Sequence, residues 1–369
     1  MSLINIHHSV TNLDSQKWNN IVQSNSKFLA LSFLKHFEKL NKSELLPFYI
    51  STKESIIYGH LITIKGRKAA NYLQNNKGFS LKKIILKKID FKFFCFGNTH
   101  FSNTATFSNS KNLLNEKLVL EIISKIKKDF NVNFFLLPDH FHSKITPLTT
   151  NLSARFNSLT IDPDMVLKIN PKWESIDDYS EAIQTKYKKR LRKVFKKSKN
   201  LKIKEFELND LKENLEEMKN LYKNVYSKSA FSGPKFDISI YLDFMKDENI
   251  KFYVFGFFYQ NKLIGFSSDF LDNKNLQSYF IGLNYELNKE LDLYNRILIH
   301  TIQQGIKLKV NQIKFGRTAA EFKSTIGAIP TESKSSVFIA NNFLNFLFNP
   351  IIKKIKPKSW IQRRPFKES

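Results

Sequence analysis

Apolar residues recur along this chain with two periods, and each change of period marks an element. Around Tyr279, Phe280 and Ile281 an apolar run reads as a strand that reaches Tyr285. A polar stretch follows and reads as a turn. Leu293, Ile297, Leu298, Thr301 and Ile302 then repeat at helical spacing as far as Gly305. Gln312 to Phe315 reads as a second short strand. Strand, helix, strand requires a crossover, so the two strands are expected to run parallel, with a functional edge at their C-terminal ends, where Gly316 and Arg317 emerge.

The first half repeats that order. Pro47 to Ile64 predicts a hairpin turning at Lys53 and Glu54, FKFFCFG a buried strand, Leu113 to Phe130 a helix, and VNFFLLP a further strand. In KDFNVNFFLLP and in IKLKVNQIKFG a helix with a basic end feeds through Val-Asn into a short apolar strand. Two copies of one α/β unit are therefore expected. The proline-marked stretch Asp162 to Trp173 is the expected boundary, giving domains over 1–160 and 161–335. Residues 336–369 read as a strand, an apolar helix and a basic tail that pack back on the first domain.

After the boundary, Ser175 and Asp178 resemble a capping box, and Ile183, Tyr187, Leu191, Val194 and Phe195 form one apolar stripe. Between Lys186 and Lys204 lie eleven basic residues and no acidic one. This helix, 184–204, has three readings: a solvated face, a surface for phosphate or RNA, or one for anionic lipid. Arginine is scarce beside lysine here, and a guanidinium grips phosphate with two parallel hydrogen bonds. Arg190 is thus the choice for a phosphate contact, with Tyr187 one turn earlier lining the same site. The loop Ser227 to Lys235 reads as a cover for a substrate or as an ordinary connection.

Composition narrows the class. The 369 residues, 42% of them hydrophobic, suffice for two ordinary cores. Fifty-nine basic residues against 33 acidic give a formal charge of +26, which favours a polyanionic partner such as tRNA or anionic lipid. The single cysteine, Cys95, excludes an internal disulfide, fits a reducing compartment and reads as a buried apolar residue. MSLINIHHSV has neither a basic leader nor a sustained apolar core, so no signal peptide is expected. Val337 to Ile352 is interrupted by asparagines and Pro350, and a bilayer span needs about 20 mostly apolar residues. No His, Cys and carboxylate spacing implies a metal. A cytoplasmic protein is expected, either free or peripheral at the inner membrane face.

The runs YFIGLNYEL, LYNRILIHTIQQGIK and IKFGRTAAEFKSTIGA resemble the acetyltransferase-like half of bacterial Fem-type and related GNAT-superfamily proteins, most closely from Phe252 to Ala328. The resemblance implies an α/β fold of two GNAT-like mixed-sheet domains in tandem. It also implies transfer of an acyl or aminoacyl group to an amine of a cell-envelope precursor, a sugar or a peptide. The donor would be an acyl-CoA or an aminoacyl-tRNA, the latter for a lipid-linked peptidoglycan precursor. GNAT enzymes that use coenzyme A carry a glycine-rich turn where backbone amides hold the pyrophosphate. The matching segment here, ELNKELDLYNR, has no glycine. A non-catalytic nucleic-acid- or membrane-binding protein with this fold is the rival from another class. Similar transferases carry a Gly-Asn loop where this chain has Gly97 to Ser110, so Asn98 and His100 are acceptor-facing candidates, against a plain solvated loop.

Acyl transfer to an amine with a pKa near about 10.4 needs a proton acceptor and donors for the oxyanion, but no covalent nucleophile. Glu286 and Glu321 are the candidate acceptors. Thr318 to Glu321 also reads as a capping box, and Glu286 as a solvated loop carboxylate. Arg317 is read as binding an acceptor carboxylate or phosphate, or as pairing with Glu321; Lys323 and Ser324 cluster with it. Tyr279 and Tyr285 line the cleft or serve packing.

Overall fold

The structure, a computed structural model, describes residues 3–22, 27–40, 44–67, 88, 90–102, 104–138, 141, 144–146, 156–228, 234–331, 334–353 and 359–367. Two compact units emerge, one of residues 1–161, 230–236 and 333–357, the other of 162–229, 237–332 and 358–369. Each contains an eight-stranded mixed sheet among the described residues.

In the first unit the spatial order is Asn5–His7, Leu45–Ser51, Ser55–Ile64, Phe91–Phe96, Phe134–Leu137, Lys334–Ile339, Phe156–Thr160, with Phe107–Asn109 added against Ser55–Ile64. One pair is parallel: Phe93 to Cys95 lie opposite Phe134 to Leu136. Helix Glu116–Phe130 makes that crossover, buries Val119, Ile122, Ile123 and Ile126, and is capped at its start by the Asn115 side chain. Asn131, in the left-handed region at φ 52°, ends it.

The second sheet runs Lys202–Glu205, Phe252–Tyr259, Lys262–Asp272, Asn275–Ser278, Gln312–Lys314, Asp164–Lys168, Ile329–Thr331, with Gly282–Leu283 on Lys262–Asp272. Here too one pair is parallel, Asn275 to Gln277 beside Gln312 to Lys314, as the crossover argument requires. The connecting helix, Leu293–Lys307, continues through Gly305 instead of stopping there. Gly305 lets helix and strand approach: a Cβ would lie 2.6 Å from Ile313 Cδ1.

Several expectations are corrected. The stretch 162–173 holds strand Asp164–Lys168, whose buried Met165 and Leu167 were masked in the sequence by Pro163 and Pro171. The stripe from Ile183 to Phe195 lies on helix Thr185–Lys197 except for Ile183, which sits in a break after helix Ile176–Ala182, because the backbone at 183–184 pairs with the C-terminal segment through Gln184 N–H to Pro365 O and a bridge from Ile183 to Phe366. Strand Lys334–Ile339 and helix Asn342–Ile352 join the first unit, whereas 358–369 group with the second. Of the loop 227–235, residues 229–233 lie outside the described residues.

Candidate functional site

The parallel ladder of the second unit ends at Gln277 and Lys314, and past it the chain leaves regular geometry on both sides. Tyr279 to Ile281 step out of the sheet, with the Tyr279 N–H donated to Ser268 O (2.8 Å), before Gly282–Leu283 pairs again. On the other side Gly316, Thr318 and Ala319 have φ of 73°, 68° and 48°. Left-handed conformation at two non-glycine residues is strained and persists only where surroundings enforce it. Lys323 supplies that enforcement. It is 5% exposed, and its ammonium donates to the carbonyls of Phe315 (2.8 Å), Gly316 (3.1 Å) and Arg317 (2.7 Å). Burial lowers its pKa to about 8, and Asp164 and Asp162 oppose that shift. With three protons in backbone bonds, Lys323 fastens the turn and is not placed to shuttle a proton.

The capping box read at Thr318 and Glu321 does not form. Helix Ala320–Ser324 starts at Ala319 with no side-chain cap. Glu321 instead accepts from Arg363 Nη2 (2.5 Å) and Nε (3.2 Å), so its cation is Arg363 and not Arg317, which stays half-buried at the turn. Ser324 accepts from the Arg363 backbone N–H (3.1 Å) and donates to Glu321 O (2.7 Å). The C-terminal segment thus lies over this helix. Phe366 packs beside Trp173 and over Gly327, where φ is 90° and a Cβ would collide with the Phe366 ring.

Tyr187 and Arg190 line one narrow cleft with Tyr179, Asn295, Thr325 and Ile326. Its floor is apolar because Ile183, Leu191 and Val194 belong to the core under helix Thr185–Lys197. Eight of that helix's 13 residues are basic and only Leu191 and Val194 are buried. Lys188 pairs with Glu181 (2.6 Å) and Lys197 donates to Lys289 O (2.8 Å), while Lys186, Lys189, Arg190, Arg192, Lys193 and Lys196 project outward or sit at the rim.

Where a turn was expected, Tyr285–Leu291 is a helix, capped by Asn284 accepting from the Glu286 (2.9 Å) and Leu287 (3.3 Å) amides. Glu286 is exposed in its first turn. Tyr285 is half-buried under the Lys228 ammonium, 3.6 Å from the ring centroid. Asp292 (φ 53°) joins this helix directly to Leu293–Lys307, and the Tyr294 amide donates to Asn288 Oδ1 (2.8 Å). The helix start where a pyrophosphate would sit therefore carries an acidic residue and an amide already satisfied by the chain itself. Tyr279 packs among Phe270 (5.0 Å), Phe280 (4.3 Å) and Tyr241 (6.3 Å).

Asn98 and His100 are in the first unit. The Asn98 side chain accepts from the His100 amide (3.0 Å), and the buried His100 ring stacks on Phe37 and meets Phe236 edge-on. Burial lowers its pKa to about 3. Beside it His60, fully buried, bonds Thr99 Oγ1 (2.9 Å) and Tyr58 Oη (2.8 Å). Two polar positions went unread: His60 within SIIYGHLITI, and Asp269 within LIGFSSDF of the second unit, 1% exposed and pushed up to about 7 by burial, with Ser278 pulling the other way. A polar residue interrupting an apolar strand was the available signal in both. Among the described residues no group of three metal-ligating side chains occurs, and no helix is long and apolar enough to cross a membrane.

No family model matches the chain, and no curated protein matches it in sequence. Solved structures do. FemX superposes with a TM-score of 0.51 at 10% identity, over 94% of this chain and 100% of that one. A conserved protein of unknown function from Bacteroides thetaiotaomicron VPI-5482 superposes with a TM-score of 0.52 at 9% identity, over 91% and 100%. The chain shares the fold of FemX, with two mixed-sheet units.

Proposed function

We propose that this protein is an N-acyltransferase that moves an aminoacyl group from tRNA to an amine of a cell-envelope precursor, a sugar or a peptide. The observation that carries the choice of donor is the occupied helix start at Asp292, where the Tyr294 amide is satisfied by Asn288 and helix Tyr285–Leu291 replaces a glycine turn. Coenzyme A has no pyrophosphate seat there, whereas the cationic helix Thr185–Lys197 beside the Tyr187 and Arg190 cleft suits a nucleic-acid backbone. Arg190 is assigned to a donor phosphate and Tyr187 to the wall of the cleft. The strained turn at 316–319 is assigned the oxyanion donors, through its peptide N–H groups. Glu321 is engaged by the Arg363 guanidinium, so the acceptor amine is assigned to lose its proton to water, with Glu321 and Ser324 positioning the cleft wall.

Filter binding with bulk tRNA charged with labelled amino acids tests this. Retention should disappear after RNase treatment and fall about tenfold in an Arg190→Ala, Arg192→Ala double variant, with label passing to an added amine. A saturable rise in Tm with acetyl-CoA, together with label retention indifferent to RNase, would overturn the donor assignment.

A further inference from the structure

Helix Asn342–Ile352 in the first unit is apolar on two faces and carries no charged residue. One face is packed: Leu344, Phe348 and Ile352 lie against Phe134, Val337 and Ile339 of the sheet. Asn345 pins it further, accepting from Asn157 Nδ2 (3.1 Å). The other face presents Phe343, Phe346, Leu347 and Pro350, spaced i, i+3, i+4 and i+7, to solvent. Phe343 is 68% exposed, Phe346 78% and Leu347 44%. Eight large apolar side chains are exposed among the described residues, and three of them stand on this one stripe. A surface helix anchored by one face ordinarily turns polar residues outward, so a stripe of this kind marks a surface that meets something apolar.

The charges around it indicate what that is. From 333 to 357, the C-terminal stretch that belongs to this unit, the sequence holds four lysines and no acidic residue. Lys353 is exposed at the helix's end, and Lys127 reaches its start, donating to Ala340 O (3.3 Å). Nearby Asp129 is paired with Lys125 (3.6 Å). A protein partner would offer apolar surface alone or with scattered charges of both signs. A bilayer with anionic headgroups offers both needed layers, hydrocarbon for the rings and negative charge for the lysines at the rim. Eleven residues make a helix of about 16 Å, which lies in the interface and does not span it.

We propose that the Phe343, Phe346 and Leu347 stripe inserts into the interfacial layer of an anionic lipid bilayer, with Lys127 and Lys353 at the headgroups. The proposal stands on the first unit alone and is independent of the donor assigned above. Flotation of the full chain with vesicles of phosphatidylcholine, and of equal parts phosphatidylcholine and phosphatidylglycerol, tests it. Wild type should float with the anionic vesicles only, and less at about 0.5 M salt. Phe343→Ser with Phe346→Ser should lower partitioning by about tenfold to a hundredfold while leaving Tm unchanged, since both rings are solvated in the fold. A Phe346→Trp variant should shift its emission to the blue on adding anionic vesicles. Equal flotation of wild type and double serine variant, or equal flotation with neutral vesicles, would overturn the proposal. So would failure to float combined with a wild-type dimer that the serine variant converts to monomer, since a second copy would then cover the stripe.

Discussion

The strand, helix, strand passage occurs in both units, and its two copies end differently after the second strand. Each has a 15-residue helix, then a left-handed residue (Asn131 at φ 52°, Lys309 at φ 51°), then a buried valine, Val132 or Val310, and a strand parallel to the one before the helix. In the first unit the end is sealed by aromatic packing, Phe141 stacking on Phe96 at 4.2 Å and 19°. In the second it opens into the positive-φ turn held by Lys323. Apolar packing tolerates any backbone that fills the space, whereas a strained turn exists only while specific polar bonds maintain it. One scaffold therefore carries an end closed by apolar packing and an end held in a strained turn by polar bonds.

That contrast can be broken at either end. The largest effect is expected from Phe141→Ala, which removes a fully buried ring and should cost about 3–5 kcal/mol in urea unfolding, with protection from hydrogen exchange lost first in the first unit. Lys323→Met leaves three carbonyls without their donor and should cost about 3 kcal/mol, with faster exchange at the amides of residues 316–318. No change at those amides would remove Lys323 as the fastener of the turn.

Acid should separate the units. His60 and His100 are held neutral by burial, with folded pKa values well below the unfolded one, about 3 for His100. The unfolded chain then binds more protons below about 6.5, so the first unit loses up to about 1.4 kcal/mol per pH unit for each histidine as pH falls from there. In the second unit His300, lowered to about 3, acts in the same direction. Asp269, raised to about 7, acts in the opposite one, since its folded form binds the extra proton between about 4 and 7. Urea titrations followed at Trp18, in a variant with Trp173 and Trp360 replaced by Phe, should steepen between pH 7 and 5. The matching titration at Trp173 and Trp360 should stay nearly flat. The smallest effect is expected from Arg363→Ala: the pair with Glu321 is 37% and 42% exposed, so about 1 kcal/mol or less in stability, read as a small fall in Tm.

Much of the architecture was legible because hydrophobic period is a local property. The Leu293 helix, the hairpin over Pro47 to Ile64 and the Val-Asn junctions could be read residue by residue, and with them the parallel pair. Helix Tyr285–Leu291 was missed because its polar composition resembles a turn, although Asn284 as cap and Leu287 and Leu291 at helical spacing were present. The break at Ile183 and Gln184 could not be read, because its cause lies at Pro365 and Phe366. Of the candidate site, the cluster Arg317, Glu321, Lys323 and Ser324 is adjacent in sequence, so its proximity carried little surprise; its bonding did.

By itself the sequence determined the strongly periodic helices and strands, that two strand, helix, strand passages exist, and that one helix carries unbalanced positive charge. Those follow from spacing and composition, which no distant residue alters. Only the tertiary structure decided that Lys323 binds three carbonyls, that Glu321 meets Arg363 across 42 residues, and that the face of Phe343 and Phe346 is left to solvent. The physical reason is that a charge or an apolar face takes its role from whatever the returning chain brings against it, and that is set by the fold.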